Sequence, residues 1–171
     1  MRQKVFAGVP AYTPRVEIRT ARAGDYDAIA AVVDDWWGRP ILAALPRLFF
    51  DHFHRTSLVA QAPGGELAGF LVGLLSPSLP DEAYIHFVGV APSHRGTGLG
   101  RLLYDEFFAW AAAAGRHSVE AITSPVNDGS IAFHRRMGFE VRGPVPDYNG
   151  PGVAMMVFHR SVEPAGSARS L

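Results

Sequence analysis

The chain has 171 residues, with Lys plus Arg balanced against Asp plus Glu at 16 each and no cysteine. The length fits one compact domain, and the charge balance excludes a bulk field that would gather nucleic acid or an anionic membrane surface. Without cysteine there is no disulfide framework, thiolate metal site or cysteinyl-acyl intermediate, and a reducing cytoplasm is the expected compartment.

Residues 1–14 lack periodicity. Arg2 and Lys4 precede no apolar run, and Pro10 and Pro14 follow, so we expect an N-terminal tail and no signal peptide. Val16–Arg19 alternates as a strand, and Asp25 stands at an N-cap position before Ile29, Val32, Val33 and Trp36 at helical spacing. Pro40 and Pro46 interrupt the next stretch, but Ile41, Leu42, Leu45, Leu48, Phe49 and Phe53 predict a short second helix. Ser57–Gln61, a Pro-Gly-Gly turn and Leu67–Leu75 predict a hairpin with a buried second arm. That arm, the longest apolar run, is far short of the ~20 residues of a membrane helix.

Ala83–Val90 reads as a strand stopped by Pro92. A long helix follows from Gly98, with Leu99, Leu102, Leu103, Phe107 and Trp110 inward and Gly115 as its stop. Ser118–Thr123 reads as a strand, Asp128–Met137 as a helix ended by Gly138, and 139–142 and 153–158 as two strands around the loop at Tyr148. Residues 162–171 are expected to form a C-terminal tail, leaving one domain over 15–161. The order β-α-α-β-β-β-α-β-α-β-β predicts an α/β (α+β) mixed sheet with helices on its faces, and the unit from Tyr84 to Thr123 should be parallel.

The chemistry concentrates in Val90-Ala91-Pro92-Ser93-His94-Arg95-Gly96-Thr97-Gly98-Leu99-Gly100-Arg101, between a buried strand and a long helix. Glycines at alternate positions let backbone N–H groups converge where the helix dipole favours negative charge. Arg95 and Arg101 add cationic groups and His94 a donor, so a phosphate or pyrophosphate suits the loop. A glycine-rich turn without a ligand is the plain alternative.

Arg95-x-x-Gly98-x-Gly100 after Val90-x-Pro92 resembles the acyl-CoA pyrophosphate loop of the Gcn5-related N-acetyltransferases (GNAT superfamily). The run Asn127 to Phe139 resembles that family's closing motif, an Asn after the fifth strand and a short helix ending in Gly-Phe. The resemblance covers about residues 16–160 and implies an acyl-CoA-dependent N-acyltransferase (EC 2.3.1 class), with acetyl-CoA as co-substrate and no metal. It also implies that the fourth and fifth strands splay to admit the pantetheine arm along Phe87, Val88, Gly89 and Val90, with an N–H near Val88 polarising the thioester carbonyl. Arg95, Gly96, Thr97, Gly98, Leu99, Gly100 and Arg101 would hold the pyrophosphate. Asn127 would touch the pantetheine or order the loop beside it.

An ammonium with a pKa near ~10 must lose a proton before it attacks a thioester. The two-residue period puts Tyr84, His86 and Val88 on one face of the fourth strand, and His86 is the expected base. The alternative is a buried neutral histidine satisfied by a backbone or tyrosine partner. Relatives often supply the acid for the leaving thiolate from a tyrosine just before the Gly-Phe. This chain has Phe133-His134 there, so His134 is either that acid or a packing residue, with water then serving as the acid.

On the acceptor side, Asp34, Asp35 and Trp37, with Tyr148 in the last loop, form the expected wall. Carboxylates and aromatic faces attract a cationic amine, although a core Trp and solvated Asp residues at a helix end fit the same pattern. The expected partner is a small-molecule or peptide amine, with no nucleic acid and no membrane; a homodimer is allowed. A Rossmann site is disfavoured because Arg101 takes the third-glycine place and Glu120 lies mid-strand. A non-catalytic CoA-binding sensor on the same fold is the alternative function. His52 and His54, an i, i+2 pair in a helical region, make no metal site.

Overall fold

The computed structural model describes residues 16–163. The expected N-terminal tail, and 164–171 of the C-terminal one, lie outside the described residues. Val162, assigned to that tail, is buried against the core, and its N–H donates to His117 O (2.9 Å).

Seven strands form one mixed sheet in the order β1-β2-β3-β4-β5-β7-β6. They are β1 (Glu17–Thr20), β2 (Leu58–Gln61), β3 (Leu67–Leu75), β4 (Glu82–Val90), β5 (Ser118–Thr123), β6 (Glu140–Val145) and β7 (Met155–Ser161). The helices are α1 (Asp25–Ala30), α2 (Val33–Trp37), α3 (Leu48–Phe53), α4 (Leu99–Ala113) and α5 (Asp128–Arg136). The first predicted helix is thus two, broken at Ala31 and Val32. Asp25 does not cap it: Gly24 is the N-cap, and the Asp25 carboxylate instead takes two bonds from Arg19 (2.8 Å each) and one from Arg22 N–H (2.7 Å).

Alternation in the strands divides the apolar residues between two faces. One cluster joins α4 and α5 to the sheet through Leu103, Phe107, Val119, Phe139 and Phe158. The other packs α1–α3 on β2–β4 through Ile29, Val33, Phe50, Phe70 and Val72. Each fully buried Phe contributes about 1.5–3 kcal/mol of transfer free energy. Leu102, expected inward, is 55% exposed, because Tyr104 and Phe108 join Leu99, Leu103 and Phe107 on the buried side of α4.

Two irregularities in β4 shape the centre of the sheet. Its parallel pairing with β5 covers only Glu82↔Ser118, Ala83↔Val119 and Tyr84↔Glu120, although both strands run on. Beyond Tyr84 the side of β4 that faced β5 has no ladder partner, so backbone polar groups are left for something else to pair. This is the expected splay. On its other side, Val72 pairs with Phe87 and Gly73 with Ile85, which leaves His86 as an extra, bulged residue.

Candidate active site

The bulge resets the alternation of β4. Ala83, Ile85, Val88 and Val90 pack with the α4 cluster, whereas Phe87 packs with the α1–α3 cluster. Val88 therefore does not share a face with Tyr84 and His86, as an unbroken two-residue period predicts. Gly89 has a packing reason of its own, since a Cβ there would stand 2.5 Å from Phe70 and 3.0 Å from Trp37.

After Val90, one turn at Pro92–His94 leads into the glycine loop, where Thr97 Oγ1 donates to His94 O (2.7 Å). Gly96 (φ +76°) and Gly98 (φ +89°) hold left-handed conformations that a side chain would strain. The N–H groups of Gly96 through Arg101 have no acceptor among the described residues. They gather at the start of α4, where the helix dipole adds positive potential. The loop borders a cleft of about 430 Å³ lined by His94, Gly98, Gly100 and Arg101 on one side and Phe133 and Arg136 on the other. Arg136 stands three residues after Phe133 on α5, the spacing that places both on one face, and so brings a cationic group to the phosphate side of the cleft. The Arg95 side chain is partly committed elsewhere: Nε donates to Val90 O (3.3 Å) and Nη2 to Trp36 O, joining the end of β4 to α2. A smaller cavity of about 270 Å³ between β1 and α4, near Arg55 and Trp110, contains none of the motif residues.

Asn127 caps α5, its Oδ1 accepting from Ser130 N–H (3.2 Å) while Nδ2 donates to Thr123 Oγ1 (3.1 Å). Of its two expected roles, this geometry supports ordering of the loop beside the splay.

His86 is half-buried, stacked on Phe49 at 4.0 Å, with Nε2 2.8 Å from Ala44 O. A carbonyl only accepts, so Nε2 carries the hydrogen and Nδ1 holds the lone pair, with no partner among the described residues. Burial lowers its pKa from the usual histidine value and the Ala44 carbonyl opposes this, so the ring is neutral at pH 7. Tyr84, also half-buried, has its pKa pushed up to about 12, mainly by desolvation and then by Tyr148 and Glu120.

His134 is 6% exposed and stacked on Phe158 at 3.9 Å. Its Nδ1–H donates to Ser130 O (2.8 Å), and Nε2 accepts from the buried Tyr104 hydroxyl (3.0 Å). Desolvation lowers its pKa to about 4, against the Ser130 bond. Both nitrogens are engaged and the ring is neutral at pH 7, so the geometry supports the packing reading of His134 and gives a thiolate no N–H.

On the opposite side, Asp34 Oδ1 accepts from Ile41 N–H (2.7 Å) and Leu42 N–H (2.9 Å), fixing the turn after α2. Asp35 is exposed, and Trp37 packs on Phe87 with centroids 5.0 Å apart. Trp37 and the exposed Asp35 thus fit the structural alternative, whereas Asp34 is neither solvated nor free for an amine, being committed to the turn. Tyr148 is 47% exposed, in the loop between β6 and β7, near Tyr84. No group of His, Asp or Glu suited to a metal ion occurs among the described residues, and no described helix is long and apolar enough to cross a membrane.

Residues 26–139 match the Acetyltransferase (GNAT) family. The L-methionine sulfoximine/L-methionine sulfone acetyltransferase of Pseudomonas aeruginosa is 32% identical over 144 residues, 75% of this chain and 83% of that one. The L-2,4-diaminobutyric acid acetyltransferase of Nocardia farcinica is 33% identical over 110 residues, 58% of this chain but only 56% of the relative. The diaminobutyrate acetyltransferase of Paenibacillus lautus, solved with L-2,4-diaminobutyric acid and coenzyme A, superposes with a TM-score of 0.66 at 21% identity, covering 89% of this chain and 96% of that one. This last likeness shows the fold.

Proposed function

The chain belongs to the acetyltransferase (GNAT) family, and from that premise we propose that it transfers an acetyl group from acetyl-CoA to a primary amine of a small molecule or peptide. The observation that carries this reading is the run of N–H groups without acceptors from Gly96 to Arg101, at a helix start and beside a cleft. Such a run suits a pyrophosphate. The unpaired edge of β4 beyond Tyr84 supplies backbone groups for the amides of a pantetheine arm. Acetyl-CoA brings the activated thioester carbonyl; an N–H near Val88 would stabilise the charge that develops on its oxygen. Relatives that acetylate small amino acids favour a small-molecule amine.

In this reading the amine attacks directly, and His86 Nδ1 takes the proton, while Nε2–H on Ala44 O fixes ring and tautomer. With His134 enclosed, the leaving thiolate takes its proton from water. The absence of cysteine makes a thiol reagent a clean monitor of CoA release. We expect His86→Gln, which keeps a donor for Ala44 O but removes the base, to lower kcat about 10²-fold or more with acetyl-CoA affinity unchanged. In the wild type the acidic limb of kcat/KM should lie below the ordinary histidine pKa of about 6.5. A Gln variant as active as the wild type would remove His86 from the mechanism.

A further inference from the structure

The helical layer α1–α3 covers only part of its face of the sheet, since its cluster contains no residue of β5, β6 or β7. On the uncovered part, registration lines up four polar residues across four strands: Tyr84 opposite Glu120, Glu120 opposite His159, and His159 opposite Glu140. Their neighbours Ala83, Val119, Ala121 and Phe158 are buried in the α4 cluster, so the row faces the other way. Its inner end, Tyr84↔Glu120, is the last pair before β4 and β5 separate, which puts the row at the apex of the splay.

The row's hydrogen bonds are incomplete. Glu140 is held by Arg142 (2.8 and 3.0 Å), whose charge also reaches Glu120, but the one side-chain hydrogen bond of Glu120 among the described residues is to His159, whose Nδ1 lies 2.9 Å from Oε1. Glu120 Oε2 and the Tyr84 hydroxyl have no hydrogen-bond partner among the described residues. Both Glu120 and His159 are about a quarter exposed (26% and 29%), so a ligand reaches them at modest desolvation cost. A carboxylate oxygen and a phenol oxygen on adjacent strands match an ammonium, which donates three hydrogen bonds.

We propose that Glu120, oriented by His159 and flanked by Tyr84, is the subsite that receives the ammonium group of the acceptor. This rests on the acetyltransferase reading and narrows it to acceptors that arrive as cations. Glu120 contributes binding; His159 is a positioning residue.

The test is amine binding to the CoA-loaded protein, by calorimetry, with n-butylamine, 1,4-diaminobutane, L-lysine and L-2,4-diaminobutyrate as probes. Glu120→Gln keeps size and an acceptor for His159 but removes the charge. It should weaken the best-bound amine about 10-fold or more and raise its KM to match, with kcat within about two-fold and CoA affinity unchanged. Tyr84→Phe, which removes an unpartnered hydroxyl, should weaken the same amine by a few-fold without touching the fold. Equal amine affinity in wild type and Glu120→Gln, or no amine bound by the wild type, overturns the proposal. Failure of the transferase reading is separate: amine and acetyl-CoA bound together, with no CoA released.

Discussion

Gly100→Asp should abolish measurable acetyl-CoA binding, a loss of about 100-fold or more, or ~3 kcal/mol, in a protein at least as stable as the wild type. Gly100 is the second residue of α4, and a Cβ there would meet Phe133 and Val90 at 3.7 Å, ordinary contact distance. A carboxylate in the first turn interacts favourably with the helix dipole by about 0.3–1 kcal/mol, and Asp is a better helix residue than Gly. The free protein therefore loses nothing. In the cleft, however, the new charge competes for the unpaired N–H groups from Gly96 to Arg101 and repels a pyrophosphate. Thermal unfolding and calorimetry separate the two effects. Unchanged acetyl-CoA affinity would place the nucleotide end elsewhere.

His134→Ala should act on stability instead. The ring is enclosed by Phe158, Phe139 and Tyr104, and its removal leaves a cavity and an unsatisfied Tyr104 hydroxyl. Together these predict a loss of about 3–4 kcal/mol, or about 6–16 °C in Tm for a chain of this size. A pH signature should accompany it. The folded-state pKa, about 4, lies below the unfolded value of about 6.5, so between these values the unfolded chain binds more protons. Wild-type stability should fall by about 3 kcal/mol as pH drops through that window. His134→Gln, which cannot titrate, should lose this component. A thiolate-protonating role predicts a different pattern, with kcat reduced in His134→Ala at full stability.

The motifs legible in the sequence were those that depend on local backbone geometry. The glycine loop and the Gly138 stop need particular residues at particular dihedrals, and each stands where its spacing put it. Hydrophobic alternation likewise located all seven strands to within a few residues. Side-chain roles were less legible because they depend on contacts distant in sequence. A one-residue bulge at His86 moves Val88 to the other face, and alternation alone carries no sign of it. His134 meets a tyrosine thirty positions earlier, and Asp34 meets backbone N–H groups of the following turn. Glu120 looked like an ordinary mid-strand carboxylate until the sheet order set it between Tyr84 and His159.

The most direct test of the account is to mix the purified protein with acetyl-CoA, add the amine panel, and follow free CoA with a thiol reagent while identifying the product by mass. The account predicts stoichiometric N-acetylated amine and CoA, dependent on both substrates and lost in Gly100→Asp. Tight acetyl-CoA binding with no product from any amine would contradict the transfer claim and favour a CoA sensor. No acetyl-CoA binding at all would contradict the assignment of the loop itself.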